Sequence, residues 1–200
     1  MNRLVPALVF LAMAQPAAAH GFAGPAPQTM SQGLLAGLGH PLIGVDHFGA
    51  ILAVGCLAGW QRHGVRLIAG YLLALIAGAA LHSRGLAVPG AEFAVALSVL
   101  VLGGAVLRPL LDSVTALALF VVAGLANGYS LGAPLAGAAP APLAAYFLGL
   151  VIIQLAVALA AMAIVRALAR DAPDRRVRLI GALVVGIGLA ALAKEVLLAA

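Results

Sequence analysis

The sequence predicts an all-α polytopic membrane protein, a bundle of about six transmembrane helices once a signal peptide is removed. Three observations carry this. Hydrophobic residues make up 64% of the chain and charged residues 8%, against roughly 25% charged in soluble domains. The apolar runs are continuous and about 20 residues long, the length of a bilayer-spanning helix; barrel strands would instead alternate apolar and polar residues over about 10-residue segments. Basic residues gather in alternate short connections, as topology determinants do. The net charge of +5 therefore points to membrane orientation and not to nucleic acid.

The elements follow in order. "MNRLVPALVFLAMAQPAAAH" has Arg3, an apolar stretch from Leu4 to Met13 and a small-residue "AAA" site, the layout of a secretory signal peptide. Residues 1–19 are assigned to that peptide and residues 20–200 to one transmembrane domain, with His20 as the first mature residue; an uncleaved anchor helix is the alternative. Six spans then run from about Gly33 to Trp60, Leu67 to Leu81, Ala91 to Leu107, Ser113 to Leu131, Leu143 to Val165 and Leu179 to Leu198. With a periplasmic mature N-terminus, Arg62, Arg66, Arg108, Arg166, Arg170, Arg175, Arg176 and Arg178 fall on the cytoplasmic side. Only Arg84 and Lys194 fall opposite. The positive-inside rule then gives a multi-pass membrane protein with these arginine-bearing connections in the cytoplasm. Trp60 closes the first span, where interfacial aromatics sit.

"AGLGH" at 36–40 echoes "AGLAN" at 123–127. Three spans separate the two, so they fit a 3+3 inverted repeat of the kind found in transporters, pairing His40 with Asn127. Ala, Gly and Leu are abundant enough that a chance match stays open.

The chemistry lies in "HPLIGVDH", residues 40–47 of the first span. An ionisable residue inside a span is costly unless it faces a cavity, a partner or an ion. His40 and His47 would be about 10 Å apart along a regular helix axis, too far to share one ion. Pro41 and Gly44 allow a break, which would return His40 toward Asp46 and His47. Imidazole with carboxylate suits nickel, cobalt or zinc better than magnesium or calcium. The alternative is a hydrogen-bonded polar knot that locks helix packing. Glu92 opens the third span, either as an ion ligand or as an acid favoured in a first helical turn. Metal affinity should fall as pH drops through about 6.5, where free imidazole charges. Cys56 reads as a small packing residue, and His63 and His82 as solvated or capping groups.

The signal peptide, the mature N-terminal histidine, "HPLIGVDH" and "PGAEFAVALSVLVLG" in span three together resemble the HupE/UreJ family. Those are bacterial membrane proteins associated with hydrogenase and urease gene clusters, understood as nickel or cobalt permeases. The resemblance implies that His40, Asp46, His47 and Glu92 serve in metal transport, with His20 helping to collect ions outside. The sequence departs from the family pattern elsewhere. "HG" stands for a longer "HPGH"-like start, and "NGYSLG" stands for a "HGxAHG"-like motif, so that Asn127 and Leu131 occupy histidine positions.

The expected function is a secondary permease for a divalent transition-metal cation, nickel or cobalt and less favourably zinc. No tightly bound cofactor is expected; the lipid bilayer and the metal are the partners, and a homo-oligomer is compatible with the sequence. There is no phosphate-binding G-x-x-x-x-G-K-[ST] segment, no H-E-x-x-H and no G-x-S-x-G, which disfavours an ATP-driven pump and an enzyme. An intramembrane metal-dependent enzyme and a non-transporting metal-binding accessory protein are the alternatives.

Overall fold

The computed structural model describes residues 26–108, 111–135, 137–168 and 175–199; the predicted signal peptide and His20 lie outside them. Seven α-helices and one short 3-10 turn make up these residues, with no strand among them. The helices are α1 (Met30–Ile43), α2 (Val45–Trp60), α3 (Gly64–Ser83), α4 (Ala91–Leu107), α5 (Ser113–Leu131), α6 (Pro140–Leu168) and α7 (Arg175–Ala199); the turn is Ala133–Leu135.

The expected first span is not one helix. It is two, α1 and α2, meeting at an 81° bend. Helix α1 starts in a capping box, with Thr29 Oγ1 accepting from the Gln32 amide and Gln32 Oε1 accepting from the Thr29 amide. Pro41 brings no amide proton, so the turn before the bend is already short of one hydrogen bond. The Gly44 amide closes α1 on the His40 carbonyl, and the Gly44 carbonyl opens α2 by accepting from Phe48.

Four helices are long and apolar enough to cross a membrane, and the bent pair makes a fifth crossing if counted as one. Helix α4 is apolar but has 17 residues, about 25 Å of rise against a hydrocarbon core of about 30 Å. This is why the count stops short of the six spans read from the sequence.

Helix α2 runs through the centre, buried nearly throughout from Gly49 to Ala58, Cys56 included. Around it α1 packs on α6, α3 on α5 and α4 on α7. Glycine sets these pairs. A Cβ at Gly37 would meet the Tyr146 carbonyl and the Leu150 amide; one at Gly124 would meet the Tyr71 carbonyl and the Leu75 amide; one at Gly103 would meet Val184 and Val185. Inside a bilayer, where apolar burial gives helices little reason to associate, such close backbone approach supplies the van der Waals contact. Leucines and valines left exposed, among them Leu35, Leu73, Val122, Leu148 and Leu197, face outward as a lipid-contacting surface requires.

The two ends of the bundle differ. At one end Gln61 joins three connections. Its Nε2 donates to the Leu111 carbonyl at 2.8 Å, its Oε1 accepts from Ser113 Oγ at 2.9 Å, and its carbonyl accepts from Arg166 at 3.3 Å. Asp112 caps α5 there, accepting from the amides of Val114 and Thr115 and from the Thr115 hydroxyl. Those bonds, the Thr115 hydroxyl foremost, hold its carboxyl below the usual carboxylate range. The arginines Arg62, Arg66, Arg108, Arg166 and Arg175 belong to this end. At the other end Tyr129 clasps the loop between α3 and α4: its hydroxyl donates to the Leu86 carbonyl and accepts from the Val88 amide. Its own carbonyl receives His82 Nδ1–H at 2.8 Å.

Candidate metal site at the broken helix

The bend brings the two histidines of the motif together. Their ring centroids lie 6.2 Å apart, with the planes at 83°. A metal-bound imidazole places its centroid about 3.2 Å from the ion, given a metal–nitrogen bond of about 2.0–2.1 Å. Two such rings sharing an ion lie at most about 6.4 Å apart, so 6.2 Å would place the two nitrogens nearly opposite each other across it, and a tetrahedral ion would need the rings about 1 Å closer. The regular-helix separation along the axis does not apply here, because Gly44 breaks the helix.

Hydrogen bonding fixes both rings. Tyr146 has one hydroxyl proton, which goes to the Leu131 carbonyl at 2.8 Å; its oxygen, 3.2 Å from His40 Nδ1, accepts the proton of that nitrogen. On the other ring, His47 Nδ1 lies 3.0 Å from Asn127 Oδ1. The orientation of Asn127 follows from its other bonds. Its Nδ2 donates to the Ala123 carbonyl at 2.9 Å and to Ser98 Oγ at 3.0 Å, while Ser98 gives its own proton to the Val95 carbonyl at 2.7 Å. Oδ1 is therefore the atom left for His47, and His47 Nδ1 is the donor. In its neutral form each imidazole is then the Nδ1–H tautomer, with its lone pair on Nε2. Outer partners of this kind orient metal-binding histidines.

Asp46 lies beside them, partly buried, with Oδ1 accepting from the His47 amide at 2.9 Å in the first turn of α2. Lys194, on α7, pairs with Glu195 at 3.3 Å. His47 is buried and Asn127 fully so. Among the described residues, no three His, Cys, Asp or Glu side chains converge as a ready ligand set. Glu92 stands apart from the elbow. It is exposed in the first turn of α4 and accepts from Ser130 Oγ at 2.7 Å.

Reading the sequence missed Tyr146. A single tyrosine in a long apolar run gives no local signal, and its partner His40 is 106 residues away. Asn127, noted as a weak ligand at a histidine position, holds a histidine in place. Leu131, which cannot bind metal, contributes its backbone carbonyl to Tyr146. Ser98 faces an amide and a carbonyl, with no imidazole to act as its base.

Comparison with known proteins identifies the family. The family model described as HupE / UreJ protein matches residues 8–191. Protein HupE of Rhizobium leguminosarum bv. viciae is 36% identical over 94 residues, 46% of this chain and 47% of that protein, so the match spans about half of each. No solved structure matches. A match over nearly the whole chain, together with the broken helix that carries "HPLIGVDH", makes this protein a member of the HupE/UreJ family.

Proposed function

We propose that the chain is a secondary permease for a divalent transition-metal cation, nickel or cobalt, and that His40, Asp46 and His47 hold the ion at the elbow between α1 and α2. The observation that carries this is the tautomer control. Tyr146 and Asn127 each engage an Nδ1, which leaves Nε2 as the ligand atom on two rings whose centroids are 6.2 Å apart. A polar knot built only for packing has no need to keep both Nε2 atoms without partners among the described residues. Family membership supports the same reading, since HupE/UreJ proteins are associated with nickel or cobalt transport and with hydrogenase or urease assembly.

In this reading the arginine end is cytoplasmic and the Glu92 end periplasmic, in the bacterial inner membrane, with six crossings arranged as a 3+3 inverted repeat. The paired contacts of Gly37 with Tyr146 and Leu150, and of Gly124 with Tyr71 and Leu75, support the repeat. Glu92, held by Ser130, would meet the ion at the periplasmic mouth, and His20 would gather it there. Two carboxylates, from Asp46 and Glu92, offset a 2+ charge on the way in.

Uptake of labelled nickel and cobalt by proteoliposomes containing the purified chain tests the proposal. Asp46→Asn and His47→Ala should abolish uptake while the protein remains folded in the membrane; undiminished uptake by Asp46→Asn would leave the polar-knot reading. For sidedness, a thiol placed at His63 should resist an impermeant reagent in intact cells. A second reading, a metal-binding accessory protein without transport, is favoured by the burial of Asn127 and Leu131 at positions where the family carries histidines. Metal binding without uptake would select it.

A further inference from the structure

Two buried polar side chains lie outside the site just described. Both ends of the Gln154 amide and the hydroxyl of Tyr71 are buried with no hydrogen-bond partner among the described residues. Gln154 is 1% exposed and Tyr71 is 0% exposed. Buried polar groups are almost always paired, and one left over points to a water or an ion that it serves.

Their depth in the bundle is informative. Tyr146, Leu150, Gln154 and Ala158 recur every fourth residue on one buried stripe of α6. Leu150 abuts Gly37 of α1 and Ala158 abuts Gly55 of α2, so Gln154 lies on the stripe between these two contacts. It sits one turn from Ala158, whereas His47 sits two turns from Gly55. Gln154 is thus about one turn beyond His47 toward Trp60. On the other side Tyr71 lies at the level of Gly124, about one turn nearer the arginine end than Asn127. Both groups therefore lie just past the histidine pair on the same side of it. A third, the indole Nε1 of Trp60, is also buried without a partner, at the end of α2.

Tyr71 has a further distinction. It stands to Gly124 as Tyr146 stands to Gly37, carbonyl against glycine with the amide four residues on alongside. Tyr146 uses its hydroxyl on a histidine; the hydroxyl of Tyr71 has no such use.

We propose that Gln154 and Tyr71 form a second, inward station that receives the hydrated divalent cation after it leaves the His40–His47 pair. The inference rests on the transport reading above and adds a step to it. Gln154 Oε1 and Tyr71 Oη are neutral oxygen donors, weaker than imidazole toward nickel or cobalt. An ion held tightly at one place needs a weaker neighbour before it can leave. Gln154 Nε2 can only donate, which suits it to the ion's water and not to the ion.

The test uses the purified full-length chain, with Gln154→Leu and Tyr71→Phe as separate variants. Equilibrium binding of nickel should stay within about twofold of the native chain, because the histidine pair is untouched, while proteoliposome uptake of nickel should fall about tenfold. Native uptake by both variants overturns the proposal. Radiolytic hydroxyl-radical footprinting gives a readout independent of transport: Tyr71 should be modified in the native chain and protected in Gln154→Leu. A native Tyr71 that takes no label overturns the station whatever the uptake. A native chain that neither binds nor carries nickel or cobalt defeats the permease reading alone, and the footprint then decides whether the inward station exists.

Discussion

The side-chain oxygen of Asn127 sits 3.0 Å from Nδ1 of His47, across 80 residues of sequence. That bond makes the asparagine a positioning residue for the histidine proposed to hold the ion, at a position where the family pattern has a histidine.

Asn127→Leu should therefore weaken nickel binding without abolishing it. Loss of an outer partner of a ligating histidine costs about 10–100-fold in affinity. Titration calorimetry on the detergent-solubilised protein measures this, and His47→Ala in parallel should show no binding. Equal losses in the two variants would make Asn127 a ligand in its own right.

Gly44→Ala should damage the elbow by sterics. A Cβ there would lie 2.8 Å from His47 Cδ2 and 3.3 Å from Asp46 Oδ1, so the ring and the carboxylate must move. We expect an affinity loss of about tenfold with the helix content intact. Circular dichroism beside a binding isotherm checks both halves.

Tyr146→Phe removes one oxygen that serves two groups, His40 Nδ1 and the Leu131 carbonyl. Leaving a buried carbonyl unpaired costs about 1–3 kcal/mol, so the variant should melt earlier in detergent as well as bind metal more weakly. A change in binding with unaltered melting would show that the Leu131 carbonyl finds another donor.

Asp112 gives a pH signature far from the metal. The Thr115 hydroxyl, with the α5 amides that Asp112 caps, holds its carboxyl below the ordinary carboxylate value. The stabilisation is therefore complete above the ordinary value and is lost as pH falls through the lower, folded one. The melting temperatures of native protein and Asp112→Asn should converge as pH drops from about 5 to about 3. A constant gap over that range would mean the capping charge contributes nothing.

The extent to which these features were legible depended on whether their cause was local. Helices α4 and α5 carry the bounds read from the sequence, Ala91–Leu107 and Ser113–Leu131, because Gly90 and Asp112 mark their starts and the apolar runs between are unbroken. The break in the first span was legible too, from Pro41 and Gly44, but its 81° angle was not. That angle comes from α6, which lies against both arms of the bend. The histidine tautomers depend on Tyr146, Asn127 and Ser98, contributed by three different helices. Pairings between distant helices leave no pattern in any single stretch, so only part of the site could be read in advance.

The partnership of α1 with α6 has a consequence for biosynthesis. Helix α1 leaves the ribosome more than a hundred residues before Tyr146, the residue that will hold His40. Until α6 has been inserted, the glycine face of α1 has no backbone to meet and the His40 ring has no acceptor for its Nδ1 proton. The neighbouring pair α3 and α5 can dock well before that. The elbow is therefore among the last parts of the molecule to be completed, and a ribosome stalled before α6 would leave in the membrane a chain that carries the whole "HPLIGVDH" segment and still lacks its ordered bend.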